Sequence, residues 1–333
     1  MAIDPHPKET VLRRTGLAGF EDWLFERMDQ RPIRYGSLSL LLLVALLLPR
    51  YSSGYAMEIL TNSYLYVVLC LGLNIVAGYA GLLDLGYAAF FAIGAYTSGI
   101  LTSTYGWNFW LAIPPALLLA ALLGILIGVP TLRLRSDYLA IVTLGAGEIV
   151  RILARNLTSL TGGPSGLIGI KRPTLFGLQL NQISHYYYIF LILALLALVI
   201  SYRLEHSRLG RAWKYVRDDE DVAEAMGIPK SAVKLSAYIM GAMFAGMAGC
   251  FFAAKMTAIS PDSFTFLQSL MILVAVVLGG MGKISGMVVG ALVMVLFPEV
   301  FRSIGSLRML LFGIILILMM IFRPQGLWPV RRR

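Results

Sequence analysis

Ten apolar runs, at 36–49, 59–79, 83–104, 109–129, 138–151, 186–204, 236–257, 266–281, 285–302 and 308–322, alternate with polar connections along the chain. A helix crossing the hydrocarbon core of a bilayer needs about 20 apolar residues, with about 17–25 typical. The pattern therefore predicts an all-α fold, a polytopic transmembrane helical bundle. Runs one, five and eight are short, which gives eight to ten spans, with ten preferred and 138–151 the candidate re-entrant segment. One polar stretch stands apart from the rest. In Ser207–Lys234, Arg208, Arg211, Lys214, Arg217, Lys230 and Lys234 are interleaved with Asp218, Asp219, Glu220, Asp221 and Glu224. A single charge at the bilayer centre costs about 2.5–3.5 kcal/mol even on the lenient insertion scale, so this stretch predicts a water-exposed connection. Ala212, Trp213 and Val216 share one helical face, and Gly227 with Pro229 supplies a stop and a new start. A docking surface and a plain solvated loop both fit that pattern.

Composition agrees with the membrane reading. The chain is 58% hydrophobic and 14% charged, against roughly 25% charged in soluble domains, and its mean hydropathy is +0.76. A net charge of +10 would suggest nucleic acid in a soluble protein. Here it reflects retained basic loops, so the expected surroundings are membrane lipid and no nucleic acid. Ten spans put both termini on one side. The N-terminal arginines, Arg133 with Arg135, the 203–234 connection and Arg331–Arg333 make that side cytoplasmic. Arg151, Arg155, Lys171 and Arg172 then fall outside, against the rule, so either 138–151 re-enters or these residues serve more than topology. Residues 1–35 read as a cytoplasmic or interfacial segment with no cleavable signal, since Phe20, Trp23, Leu24 and Met28 form one apolar face. Residues 36–323 form the membrane domain, with an external loop 157–185 and a cytoplasmic loop 205–235, and 324–333 is a basic cytoplasmic tail.

Candidate chemistry is sparse. Cys70 and Cys250 sit in apolar runs as small core residues, and His6, His185 and His206 are scattered, so no disulfide and no metal site is expected. Asn74, Asp84 and Glu148 lie in apolar segments, where an ionisable or polar group is a candidate for the translocation path. Each also has an ordinary explanation. Asn74 suits an interhelical hydrogen bond, Asp84 a cap on the helix 83–104, and Glu148 an ion pair with Arg151 one turn away. Gly145 and Gly147 around Glu148 mark a helix able to loosen. The external sequence TGGPSGL, with Thr161, Gly162, Gly163 and Pro164, is a candidate gate or partner contact, or an ordinary turn-rich connection. Small residues recur at Ala88, Ala92 and Gly99, at Gly241, Ala245 and Gly249, and at Gly282, Gly286 and Gly290, which predicts close internal helix packing. Stretches 76–95 and 277–293 are loosely alike, each with glycines at a cytoplasmic turn. The nearest phosphate-loop lookalike, GGMGKIS at 279–285, fails because Ile284 follows Lys283 and Val277 stands where the first glycine belongs. With no catalytic motif and no cofactor signature, the chain reads as a non-enzyme.

Several longer stretches carry a resemblance. GLNIVAGYAGLLDLGYAAFFAIGAY, LRLRSDYLAIVTLGAGEIVRIL, TGGPSGL, SRLGRAW with RDDEDVAEAMGI, SPDSFTF, VVLGGMG and FRPQGLWP are similar, in order from about residue 70 onward, to the branched-chain amino acid permease family of ABC importers, in its LivM type. The resemblance implies a permease subunit of the bacterial cytoplasmic (inner) membrane. Its implied partners are a paralogous second permease subunit, two cytoplasmic ABC ATPase subunits and an extracytoplasmic substrate-binding protein. It further implies that Ser207, Arg208, Gly210, Arg211, Ala212, Arg217, Asp218 and Gly227 form the ATPase-coupling motif, with Arg211 and Arg217 fixing the register. Leucine, isoleucine and valine are the implied cargo. Urea or short-chain amides are the alternative within the family, and a stand-alone ion-coupled carrier using Asp84 and Glu148 is the alternative outside it.

Overall fold

The computed structural model describes residues 45–50, 53–131, 136–175, 178–179 and 182–302, with single positions between 307 and 327. Met1–Ser53 and Gly54–Arg333 separate as two units, and the elements below belong to the second. The expected segments 1–35, 36–49, 308–322 and 324–333 lie wholly or largely outside the described residues.

Helix α1, Gly54–Leu73, runs on as a π-helical stretch, Asn74–Tyr79. After a non-helical break at 80–87 come α2 (Ala88–Ser103), α3 (Phe109–Thr131), α4 (Ser136–Asn156) and α5 (Ile183–Glu205). Two polar helices follow, α6 (Arg208–Asp218) and α7 (Glu220–Ala225), then α8 (Lys230–Met256), α9 (Phe266–Gly279) and α10 (Ile284–Val300). Among the described residues five helical stretches are long and apolar enough to cross a membrane: Gly54–Tyr79, Phe109–Thr131, Ile183–Glu205, Lys230–Met256 and Pro261–Gly279. Helices α2 and α10 are apolar but shorter. The only strands described are two-residue pieces, β1 (Leu167–Ile168), β2 (Thr174–Leu175), β3 (Leu178–Gln179) and β4 (Ala258–Ile259), paired antiparallel as β1–β4 and β2–β3.

Helices α1 and α8 form the centre. Helix α8 packs on α1, α2 and α3, while α1 also packs on α5 and α10. Small residues make this possible, because lipid removes the hydrophobic drive between helices and close backbone approach replaces it. A β-carbon on Gly249 would overlap the Phe91 carbonyl, and one on Gly241 would overlap Val76. Gly286 and Gly290 lie against the α9 backbone at Gly279 and Ala275, so these two glycines of the double G-x-x-x-G serve internal packing, as expected. Gly282 is different: it sits in the turn with φ +90°. Helix α3 carries a small-residue stripe that the sequence reading passed over. Ala112, Ala116, Ala120, Gly124 and Gly128 are buried, whereas Leu118, Leu122 and Leu126 face outward.

Two expected runs have different boundaries. The run 83–104 is not one helix, since α2 starts only at Ala88. The short run 138–151 belongs to an uninterrupted helix of 21 residues, α4, about 31 Å long at 1.5 Å per residue.

Candidate functional site

The break at 80–87 climbs into the bundle. Ahead of it, the Gly282 N–H donates to Oδ1 of Asn74, the first π-helical residue, at 2.8 Å, and a β-carbon on Gly78 would lie 2.8 Å from the Gly282 nitrogen, which places the π-helix against the α9–α10 turn. At the end of the break, the Ala88 N–H donates to Ser269 Oγ at 2.8 Å. Ser269 precedes Gly279 on α9, and the ten-residue separation amounts to about 15 Å of helix rise. Non-helical backbone inside the bundle needs partners from the protein, because lipid offers none. The Leu85 N–H donates to Thr143 Oγ1 at 3.1 Å, and the Gly86 N–H to Asp84 Oδ1 at 2.8 Å. Gly86 presses against α4 so closely that a β-carbon would overlap the Thr143 carbonyl, and Gly147, one turn further along α4, meets the Gly86 backbone as well. The glycine pair flanking Glu148 therefore does not unwind α4. Gly147 admits the break, and Gly145 has nothing within 4 Å of its missing β-carbon.

Asp84 is fully buried in this break. It does not cap the following helix, because its Oδ1 serves the local turn to Gly86 and Ser269 takes the first helical N–H. Its Oδ2 has no hydrogen-bond partner, and neither does the buried Tyr238 hydroxyl, although the Tyr238 and Thr143 hydroxyls are the polar groups beside it. A water-sized cavity of about 10 Å³ adjoins the break, lined by Leu85, Gly86, Leu144, Gly147, Glu148, Phe264, Thr265 and Ser269 among others. It is far too small for an amino acid. Glu148 pairs with Arg151 at 2.8 Å, and Arg151 reaches Asp262 at 3.5 Å. The ion-pair reading of Glu148 thus holds geometrically while its side chain also borders the cavity. Asp84 sits in the break and Glu148 borders it from α4, whereas Asn74 bonds to the α9–α10 turn.

The charged segment is a folded pair of short helices. Ser207 caps α6 through the Gly210 N–H at 3.1 Å, and Asp219 caps α7 through the Asp221 and Val222 N–H groups, both at 3.0 Å, which satisfies donors that helix starts leave free. Gly210 is needed because a β-carbon would overlap the Leu204 carbonyl. The buried face of α6 is Gly210, Trp213 and Val216. Trp213 is wholly buried, with Nε1 donating to the Val233 carbonyl at 3.1 Å and to Ser236 Oγ at 2.9 Å. Ion pairs Lys214–Glu205 at 2.9 Å, Lys230–Glu224 at 2.6 Å and Lys234–Glu220 at 2.6 Å tie the segment to α5 and α8. Tyr79 of the π-helix donates to Glu205 at 3.2 Å. Gly227, at φ +84°, closes α7 in the left-handed conformation glycine tolerates.

The eight motif residues therefore have different surroundings. Ser207, Gly210 and Gly227 shape the segment, with Ala212 half-buried beside them. Arg208, Arg211, Arg217 and Asp218 are exposed, and among the described residues Arg211 donates to the His206 carbonyl, at 3.0 Å. Arg217 turns back to the bundle, where Nη1 donates to the Gly78 carbonyl. Exposed apolar side chains share the outer surface: Leu209, Tyr215, Val222 and Met226.

At the opposite end, Thr161 Oγ1 donates to the Ala154 carbonyl at 2.6 Å. Gly162, Gly163 and Gly166 all have positive φ, and β1–β4 pairing with the Ile170 N–H to the Thr257 carbonyl at 3.0 Å straps the loop to the α8–α9 connection. These glycines have a local packing reason, and Pro164 is exposed beside them. Among the described residues no group of three His, Cys, Asp or Glu side chains could hold a metal ion.

Helices long and apolar enough to span a membrane, packed through small-residue contacts around a non-helical break and with a folded polar insertion at one end, fit a multi-pass membrane permease. The family described as branched-chain amino acid transport system / permease component matches residues 55–322. This chain belongs to that family. It is 43% identical over 318 residues to the high-affinity branched-chain amino acid transport system permease protein LivM of Salmonella typhimurium, covering 89% of this chain and 75% of that protein. Against the LivM protein of Escherichia coli the identity is 44% over 315 residues, with 88% and 74% covered. The Escherichia coli LivH permease is 26% identical over 246 residues, with 69% and 79% covered. No solved structure matches the chain significantly.

Proposed function

We propose that this chain is the LivM-type permease subunit of an ATP-driven importer of branched-chain amino acids in the bacterial inner membrane. It pairs with a paralogous, LivH-like permease and works with two cytoplasmic ABC ATPases and an extracytoplasmic binding protein. The reading draws on the likeness to LivM permeases over most of the chain and on one structural feature above the others. That feature is the α6–α7 insertion, fixed from beneath by Trp213 and presenting Arg208, Leu209, Arg211, Val222 and Met226 outward. A rigid amphipathic surface of this kind suits a cleft in a motor subunit, with the charges setting register. Ten spans with cytoplasmic termini fit it, since the basic 203–234 end then faces the cytoplasm.

The path runs past the break at 80–87, which holds Asp84 and is bordered by Glu148 of α4, and inward and outward access alternate as the bundle shifts between states. Pro164 and the exposed Arg155 and Lys171 offer a contact for the binding protein. The test is co-expression with the partner subunits and reconstitution in liposomes. ATP and loaded binding protein should give leucine accumulation, and Arg211→Glu should remove the ATPases from the purified complex. Retention of the ATPases at wild-type ratio in that variant would sink the docking role of α6.

A further inference from the structure

Arg217 is exposed as a residue, yet its head group reaches back into the bundle. Its guanidinium donates to the Gly78 carbonyl at the end of the π-helix, and among the described residues it makes no ion pair. The position has a clear physical logic. The last carbonyls of a helix lack N–H partners, and a cation there is favoured by both hydrogen bonding and the helix dipole. The Ala80 N–H goes to the Ile75 carbonyl and the Leu82 N–H to the Val76 carbonyl, leaving Gly78 for the arginine. Two more glycines shape the contact. A β-carbon on Gly81 would lie 3.0 Å from Arg217 Cγ, and one on Gly282 would lie 3.1 Å from Arg217 Nη1. Gly282 is the residue whose N–H binds Asn74. Asn74, Gly78, Gly282 and Arg217 thus form one knot. It joins the end of the first central helix, the α9–α10 turn and the polar insertion.

We infer that Arg217 is a positioning residue of the transport cycle: a strut that carries movement of the α6–α7 insertion to the root of the 80–87 break, rather than a contact to the ATPase. This rests on the proposed coupling role of the insertion and assigns a different task to one of its arginines. The stem of Arg217 leans on Gly81 and its head holds Gly78, so a displacement of α6 pulls on both ends of the first turn of the break. Arg217 is suited to this by its planar, many-donor head, which a lysine replaces only as a point charge.

The experiment uses the reconstituted full complex. Arg217→Gln should keep the ATPases bound at wild-type ratio and keep basal ATP hydrolysis. Stimulation by loaded binding protein should disappear, leucine uptake should fall at least about tenfold, and amide exchange over residues 76–82 should rise about tenfold or more. Arg217→Lys should restore part of the uptake. As a second variant, Gly81→Cys with Arg217→Cys exploits a β-carbon separation of 3.5 Å, within the disulfide range. Oxidised, this tether should support uptake, and reduction of the same sample should abolish it. Unchanged exchange at 76–82 with normal uptake in Arg217→Gln would overturn the strut. So would an oxidised tether that blocks uptake, since the contact would then have to open during the cycle. If Arg217→Gln instead sheds the ATPases as Arg211→Glu does, Arg217 is a docking residue, and the coupling role of the insertion survives without the strut.

Discussion

Gly86 and Gly145 lie in neighbouring parts of the bundle yet have opposite reasons to be glycine. The first has the Thr143 carbonyl where a side chain would start, and the second faces open space. Gly86→Ala should destabilise the purified protein by about 1–3 kcal/mol, as overpacking usually does. Gly145→Ala should be neutral or stabilising by up to about 1 kcal/mol, since alanine is the better helix former. Thermal unfolding in detergent compares the two directly. Glu148 is a sharper case. Its side chain is 31% exposed and that of Arg151 23%, so the pair resembles a partly exposed ion pair, worth about 1 kcal/mol or less. Glu148→Gln should therefore change stability little and cut uptake severalfold through its place at the cavity. Normal uptake with a lowered melting point would assign it to the ion pair alone. The type of role was readable for Asn74, an amide in an apolar run that needs an interhelical partner. The identity of that partner, the N–H of Gly282, was not, because 208 residues separate them.

At the scale of elements, the α6–α7 insertion depends on one side chain for its seat. Trp213→Ala removes a fully buried ring and both of its indole hydrogen bonds, which should cost about 3–5 kcal/mol. The expected result is rapid proteolysis within 207–234 and loss of bound ATPase while the spanning helices stay protected. An insertion that stays protease-resistant would show that the ion pairs to α5 and α8 suffice. This element was legible early: charge excluded it from lipid, and Trp213 with Val216 marked its inner face. The break at 80–87 was not legible. Apolar composition looks the same in a helix and in buried non-helical chain, and what permits the latter is Thr143 and Ser269, hydroxyls brought from distant helices. The alanine and glycine stripe of α3 was missed for a related reason. With leucines on its other face, both sides are apolar, so the usual contrast between core and surface vanishes when the surroundings are lipid.

For the whole molecule, the property on which the proposed function turns is dependence on a motor. No nucleotide-binding loop occurs in the sequence, and the acidic candidates for ion coupling at the break are Asp84 and Glu148. The subunit reconstituted alone with a proton or sodium gradient should not concentrate leucine, whereas the full assembly with ATP should. Accumulation by the isolated chain would replace the importer with an ion-coupled carrier. The outward faces of α3 and α4, with Leu118, Leu122, Ile141 and Ile152, are apolar enough for lipid or for the second permease.

Composition and apolar run length were enough to establish a helical membrane protein with one water-exposed polar insertion, because the cost of burying charge in hydrocarbon is set locally, residue by residue. Long matching motifs were enough to point to the permease family. Tertiary structure alone decided where the first central helix stops, which glycines are contacts and which are turns, and that the Arg217 head group reaches the π-helix while that of Arg211 does not. Those outcomes depend on carbonyls, hydroxyls and backbone N–H groups that meet only when distant helices pack, and no local pattern in the chain encodes the meeting.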